Sequence, residues 1–245
     1  LVNAVPGVEL AGAVVPRLAY RYYRQTYFGR DPARIINEGA RLVSPADGTV
    51  IYVQQVADGV VPISIKKRRE IPLIDIVKSY DQPFGGVLIG MYLSPFDVHF
   101  QRSPIAGVVQ GVSYHAAPKN LVMESMFWRY YLRMQPMYVN SPHIYHNERN
   151  IVHIKNDDFD VYIVQIADYY VNRIDCYVQP GDVVSKGEKI GMIHAGSQVD
   201  LFVVDAKVDD FALVTVGAHV EAGLTAFARE GGRRGASRGG SDDRI

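Results

Sequence analysis

A chain of 245 residues with 26 basic and 26 acidic side chains carries no formal net charge, which excludes the global positive field of a nucleic-acid-binding domain. The length suffices for one large or two small domains with a real core. A single cysteine, Cys176, excludes an intramolecular disulfide framework and a multi-cysteine metal site; it suits a small apolar packing role in a reducing compartment.

Residues 1 to 29, LVNAVPGVELAGAVVPRLAYRYYRQTYFG, open apolar but carry Glu9 and Pro16. No run reaches the roughly 18–20 apolar residues of a transmembrane helix. The chain starts at Leu1 rather than methionine, which is consistent with removal of upstream residues and leaves room for an anchor there. From Pro16 to Phe28 the pattern turns aromatic and basic, with Arg17, Tyr20, Arg21, Tyr22, Tyr23, Arg24 and Tyr27. Such a mixture suits the headgroup layer of a bilayer, and equally an ordinary solvated helix face. Residues 1 to 40 are therefore read as a membrane-proximal segment ahead of the domain.

From Leu42 onward the chain breaks into short β segments at Gly and Pro turns: LVSPADGTVIYVQQV, GGVLIGMYLS, VHFQRSPIAGVVQGVSY, RNIVHIKN, DFDVYIVQIA, YYVNRIDCYV and QVDLFVV. SPADGTV at 44 to 50 is echoed by SPIAGVV at 103 to 109, and GDVVSKGEKIG at 181 to 191 by GAHVEAGLTAFA at 217 to 228. The G-x-x-V-x-x-G spacing is that of biotinyl/lipoyl hammerhead elements, in which glycines allow tight turns between strands. The fold class predicted is mainly β, a sandwich or barrel-sandwich hybrid, with one or two helices. The clearest helix spans residues 119 to 135, with Leu121, Met126, Phe127, Tyr130, Tyr131 and Met134 near helical spacing; such a stripe is by default core or interface. One domain is expected over residues 41 to 228. The Gly, Arg and Ser tail from 229 to 245 has nothing to bury and is expected to be disordered.

The stretch with the most chemistry is GMIHAGSQVDLF, residues 191 to 202, in which Gly196-Ser197 lies between two strands. A serine hydroxyl can attack the carbonyl before it, and β-elimination from the resulting ester leaves a dehydroalanine that hydrolyses to a pyruvoyl group and ammonia. Glycine in front gives an unhindered carbonyl and tolerates strained backbone. A Gly-Ser pair by itself is usually a turn, as Gly240-Ser241 in the tail shows. Three more sites stand out. Asp47, in SPADG, could orient a histidine or cap its own turn. Asp97 and His99 alternate on one strand face within YLSPFDVHFQR. Glu148 and Arg149, in HNERN, suit a salt bridge or a phosphate contact. His143, His146, Glu148 and His153 are close in sequence, but their spacing matches no familiar ligand set, and no metal is assigned. Dinucleotide and Walker motifs do not occur, and the G-x-S-x-G string GASRG at 235 to 239 falls in the Gly, Arg and Ser tail, with no strand-forming run before it to make a nucleophile elbow.

Taken in order, SPADGTV, YLSPFDVHFQRSPIAG, NERN, QIA, CYVQPGDVVSKGEKIGMI and GSQVDLF resemble the phosphatidylserine decarboxylase family, and YFGRDPAR at 27 to 34 resembles its FFRDP-type opening segment. The likeness spans roughly residues 26 to 227. It implies a proenzyme that cleaves itself at Gly196-Ser197 into chains that stay associated. It also implies a pyruvoyl group derived from Ser197, decarboxylation of phosphatidylserine to phosphatidylethanolamine through a Schiff base, and a membrane surface as partner on the cytoplasmic face. Asp47, His99 and Ser197 would form the maturation triad: His99 takes the Ser197 proton and Asp47 fixes its tautomer. Main-chain donors near Gly196 would hold the oxyanion. Two features resemble the short, archaeal-type branch: Ala195-Gly196-Ser197-Gln198 stands where Leu-Gly-Ser-Thr is better known, and Arg102 stands where a second histidine is. Arg102 and Arg149 are candidates to face the lipid phosphate or carboxylate.

Archaetidylserine is the alternative substrate. The alternative of another class is a non-catalytic carrier-like or membrane-binding β module, for which Lys186 and Lys189 lie near a hairpin tip without a flanking methionine. The sequence leaves the oligomeric state, a homo-oligomer included, open.

Overall fold

The computed structural model describes residues 23–63, 70–78, 85–169, 171, 173–194 and 196–229. Among these, fifteen strands carry the fold: β1 (Ala40–Val43), β2 (Gly48–Val56), β3 (Val60–Val61), β4 (Ile71–Pro72), β5 (Gly86–Leu93), β6 (Phe100–Arg102), β7 (Gly107–His115), β8 (Arg149–Lys155), β9 (Asp160–Ala167), β10 (Ile174–Cys176), β11 (Val183–Val184), β12 (Lys189–Ile193), β13 (Ser197–Val204), β14 (His219–Val220) and β15 (Ala226–Arg229). Eight of them make one curled antiparallel sheet in the order β11-β7-β8-β9-β13-β5-β2-β14. The set β10-β12-β6 and the pair β1-β15 form smaller sheets.

The central strands β5, β9 and β13 are buried along almost their whole length, because both faces of the large sheet are covered. Alternate residues enter two cores. Val199, Leu201 and Val203 join Leu93, Ala167, Ile190, Ile193 and Phe227 on one side. Phe202 joins Tyr92, Ile166, Met123, Met126 and Ile144 on the other. The first face is closed by the smaller sheets, the second by helices and loops, which makes the architecture a sandwich-barrel hybrid that is mainly β, as the turn spacing predicts.

The helices differ from expectation. The one predicted over residues 119 to 135 is confined to Glu124–Tyr131. Its predicted first turn is held extended, because Asn147 donates to the Leu121 carbonyl and accepts from the Leu121 amide, both at 2.8 Å. Of its apolar stripe only Met126 is fully buried, while Trp128, Tyr131, Leu132 and Met134 are exposed. Two short helices, Leu73–Val77 and His143–His146, had no sequence signal long enough to read. Residues 23–40 do not stand apart from the domain: Phe28 is buried and Asn37 bonds the Gly223 carbonyl and the Leu224 carbonyl. The expectations for residues 1–22 and for the tail beyond Arg229 lie outside the described residues.

The SPADG turn depends on Gly48, whose φ is +149° and where a Cβ would lie 2.4 Å from the Tyr92 carbonyl oxygen. That oxygen belongs to the main chain of β5 and has little freedom to retreat. Gly48→Ala is expected to cost about 2–4 kcal/mol, strain and overpacking together. The midpoint of denaturant unfolding checks it; a loss within about 0.5 kcal/mol would show that the turn accepts a side chain.

Candidate active site

The site lies at one rim of the large sheet, where four neighbouring strands begin or end. Ser197 opens β13 and pairs with Leu93, the last residue of β5, and with Ala167, the last of β9. β2 pairs with β5 from its other side through Thr49 and Tyr92, which sets Asp47 two strands from Ser197, with β5 between them. His99 comes from a different layer. β6 pairs with β12, and the Ile193 amide donates to the His99 carbonyl at 3.3 Å, four residues before Ser197. A chain of buried amides fixes that stretch: Asn150 donates to Gln165 (2.7 Å), Gln165 to Gln101 (2.7 Å) and Gln101 to the His99 carbonyl (2.9 Å).

His99 is fully buried, with its ring against Phe28 at 4.1 Å between centroids. Its Nδ1 lies 2.9 Å from the Asp97 carbonyl oxygen, which can only accept, so Nδ1 carries the proton and Nε2 presents a lone pair. Burial pushes the imidazole pKa down from 6.5 to about 4, hence it is neutral at physiological pH. Among the described residues Nε2 has no hydrogen-bond partner, and neither has the equally buried Ser197 Oγ. Buried polar atoms are almost always satisfied, and those that are not call for a reason such as catalysis. Here one orphan is a base and the other a nucleophile.

Asp47 is placed differently from the expected triad. Its Oδ2 accepts from Arg34 Nη2 at 2.7 Å and its Oδ1 from the Ala222 amide at 2.8 Å. The tautomer of His99 is set instead by the Asp97 carbonyl, two residues away on its own strand entry. Asp47 thus ties the residue 34 segment and the turn before β15 to the SPADG turn.

The two arginines expected to face substrate are engaged with the protein. Arg149 is fully buried, and its guanidinium donates to the carbonyls of Asn147, Asp75, Ile76, Ile144 and His143. Five N–H groups are matched by these acceptors, so none is left for a phosphate, and the substrate-contact reading of Arg149 is corrected to a fold-stabilising one. Arg102 pairs with Asp31 at 2.7 Å and donates to the Gly187 carbonyl at 2.8 Å. Of the carrier-type lysines, Lys186 donates to the Glu38 and Ala40 carbonyls and Lys189 pairs with Asp31. His143 donates to Gln198 at 3.1 Å, and His153 bonds Asp160 at 2.6 Å. Among the described residues, no group of three His, Cys, Asp or Glu converges as metal ligands would.

Around Gly196 the structure adds a residue that sequence reasoning missed. Gly196 has φ +25°, and its carbonyl oxygen accepts from the Asp168 amide at 3.2 Å. A Cβ on Gly196 would lie 3.0 Å from Asp168 Oδ2. The Asp168 Oδ1 accepts from the amides of Met123 (3.0 Å) and Tyr169 (2.6 Å). Burial raises the Asp168 carboxyl from 3.8 to about 6, against those two hydrogen bonds. The available signal was an acidic residue directly after the apolar run VYIVQIA.

The model of the family described as phosphatidylserine decarboxylase matches residues 24–228. A protein of Methanocaldococcus jannaschii, named provisionally an archaetidylserine decarboxylase proenzyme, is 32% identical over 203 residues, 82% of this chain and 87% of its own. The phosphatidylserine decarboxylase proenzyme of Carboxydothermus hydrogenoformans is 31% identical over 204 residues, 83% of this chain and 78% of its own. That of Nitratidesulfovibrio vulgaris is 33% identical over 206 residues, 83% of this chain and 76% of its own. A family match over residues 24–228, with relatives 31–33% identical over more than four fifths of the chain, places it in the phosphatidylserine decarboxylase family.

Proposed function

We propose that this chain is a proenzyme that cuts its own Gly196–Ser197 bond and then decarboxylates phosphatidylserine at a membrane surface. The observation that carries the reading is the pair of buried, unpartnered atoms, Ser197 Oγ and His99 Nε2. His99 Nε2 accepts the hydroxyl proton while Oγ attacks the Gly196 carbonyl carbon. The Asp168 amide already donates to the oxygen on which charge develops, and such a donor is typically worth about 3 kcal/mol. Asp97 holds the imidazole by its carbonyl, which leaves Nε2 free to take the proton before the attack.

The residues present fit a pyruvoyl group at position 197, since the serine that would become it is buried, unpartnered and preceded by a glycine. Such a group supplies a ketone that takes up the electron pair released when carbon dioxide leaves an amine substrate. The surroundings suit a lipid. Tyr27, Phe96, Tyr131 and Tyr169 are 41%, 59%, 44% and 44% exposed. The first two are joined through the Tyr27 hydroxyl and the Phe96 carbonyl, and Asp97 acts electrostatically on Tyr131. Arg30 lies over the Tyr27 ring at 4.1 Å and Lys119 over that of Tyr169 at 5.5 Å, so two cations accompany the exposed rings as headgroup phosphate requires. No helix of the described residues is long and apolar enough to cross a membrane. Attachment is assigned to this collar on the strength of its rings and cations.

The name of the Methanocaldococcus jannaschii relative favours archaetidylserine as a second reading; both lipids present the same phosphoserine head group. Intact-mass spectrometry is the direct test of maturation. The expected result is two chains, 1–196 and 197–245, the second lacking one ammonia relative to an N-terminal serine. A chain that stays whole at every stage refutes the proposal. Cyanoborohydride trapping with vesicles of each lipid in turn then shows which substrate's amine becomes attached to the chain that begins at residue 197.

A further inference from the structure

The groups around the scissile bond lie on both sides of the sheet. Ser197 alternates with Val199 and Leu201 and so points into the core that also holds Leu93 and Ala167. Asp168 follows Ala167 and points to the opposite face, where Met123 meets its carboxylate. The two side chains therefore approach the Gly196–Ser197 peptide from opposite faces, and Asp168 also touches it through its main chain.

This arrangement answers a requirement of the acyl shift. When Oγ adds to an amide carbonyl, the nitrogen lone pair develops away from the newly formed C–O bond. The nitrogen must be protonated on that far side before the C–N bond can break. An acid on the nucleophile's own side would need the nitrogen to invert first; an acid across the strand does not.

We propose that Asp168 is a catalytic residue of the self-cleavage, its amide polarising the Gly196 carbonyl and its carboxyl group protonating the Ser197 nitrogen as the C–N bond breaks. The inference rests on the self-cleavage reading above. The step balances without an added reactant. The Oγ–C bond forms and the C–N bond breaks. The hydroxyl proton passes to His99 Nε2 and the Asp168 proton to nitrogen, leaving an ester, an amine, an imidazolium and a carboxylate. Solvent exchange then resets the last two.

The surroundings keep the acid available. From the Met123 and Tyr169 side Oδ1 receives two amide hydrogen bonds, and from β5 the ionisable neighbour is Tyr92, whose own pKa is pushed well above its usual value by burial and so stays neutral. Among the described residues no cation is placed to force the carboxyl into its charged form, and burial holds it near pH 6.

The test uses full-length chain made by cell-free synthesis, with splitting followed on gels after transfer to buffers between pH 5 and 8. Wild-type splitting is expected to slow on the order of tenfold per unit above pH 6 as the acid is lost. Asp168→Asn keeps the amide and the shape of the side chain. It should split at least ~100-fold more slowly at pH 6, with that slope gone. Hydroxylamine, which cleaves esters, should release no fragment from the variant, because the block precedes the ester. Wild-type-like splitting of Asp168→Asn, a hydroxylamine-cleavable ester accumulating in it, or a wild-type rate that is flat or rising from pH 6 to 8 each overturns the assignment. The wild-type profile decides the matter even if the variant fails to fold. A wild-type chain that never splits refutes the underlying self-cleavage reading, whereas normal splitting with an indifferent Asp168 refutes this inference alone.

Discussion

Replacing Ser197 with alanine is expected to leave one full-length chain with no decarboxylase activity. The effect is all or none, because an alanine at that position has no oxygen to attack Gly196 and no route to a carbonyl group at residue 197. The fold should survive. Ser197 is fully buried and its Oγ makes no hydrogen bond among the described residues, so removing it leaves no partner unsatisfied, and the loss should stay within about 1 kcal/mol. Denaturant unfolding of the variant and a gel of the same sample check both halves. Splitting at 196/197 in Ser197→Ala would mean that the bond is cut from outside, and activity without splitting would remove the need for a pyruvoyl group. Ser197→Thr should split slowly, since a β-branched hydroxyl keeps the nucleophile but has to find its rotamer in a closed site.

Much of this site was legible in the sequence because its local chemistry is carried by residue type. Gly196-Ser197 between two strand-forming runs is a pattern of spacing, and it does fall between β12 and β13; Asp97 and His99, expected to alternate on one strand face, lie instead in the turn ahead of β6, with the Asp97 carboxylate held by His219 at 2.8 Å and the Ser94 amide at 2.7 Å. The partner of His99 was not legible. A main-chain carbonyl has no residue signature, so the role expected of the Asp47 carboxylate falls to the Asp97 backbone, while Arg34 takes Asp47. Arg149 misled for a related reason: an arginine after a loop reads as a ligand contact, but its five donors meet carbonyls from the helix Leu73–Val77 and the 143–147 turn, which no spacing rule connects. The shortened helix at Glu124–Tyr131 shows the same limit, since long-range hydrogen bonds from Asn147 override a periodic apolar pattern. Asp168 went unread because a single acidic residue after a strand is an ordinary surface feature until the neighbouring strand is known to begin at the scissile bond.

His99→Gln should slow self-cleavage by about 10²–10⁴-fold, the usual worth of a general base, while keeping most of the side-chain volume beside Phe28. The same substitution has a signature in stability. Burial lowers the pKa of His99 from 6.5 to about 4, so between those values the unfolded chain binds a proton that the folded chain does not. Stability from this group is intact above pH 6.5 and is lost as pH falls toward 4, by about 2 kcal/mol at pH 5. Glutamine carries no such penalty. Compared in a Ser197→Ala background, where both chains remain whole, the glutamine variant should gain about 2 kcal/mol relative to its parent on going from pH 8 to pH 5. Asp168 and Asp200, whose raised values near 6 act with the opposite sign, are present in both chains and cancel in the difference. Urea unfolding at the two pH values measures the gain. A variant that splits normally would return His99 to a packing role, and a pH-independent difference would show that the imidazole reaches water and charges freely, which is incompatible with a neutral base held in a closed site.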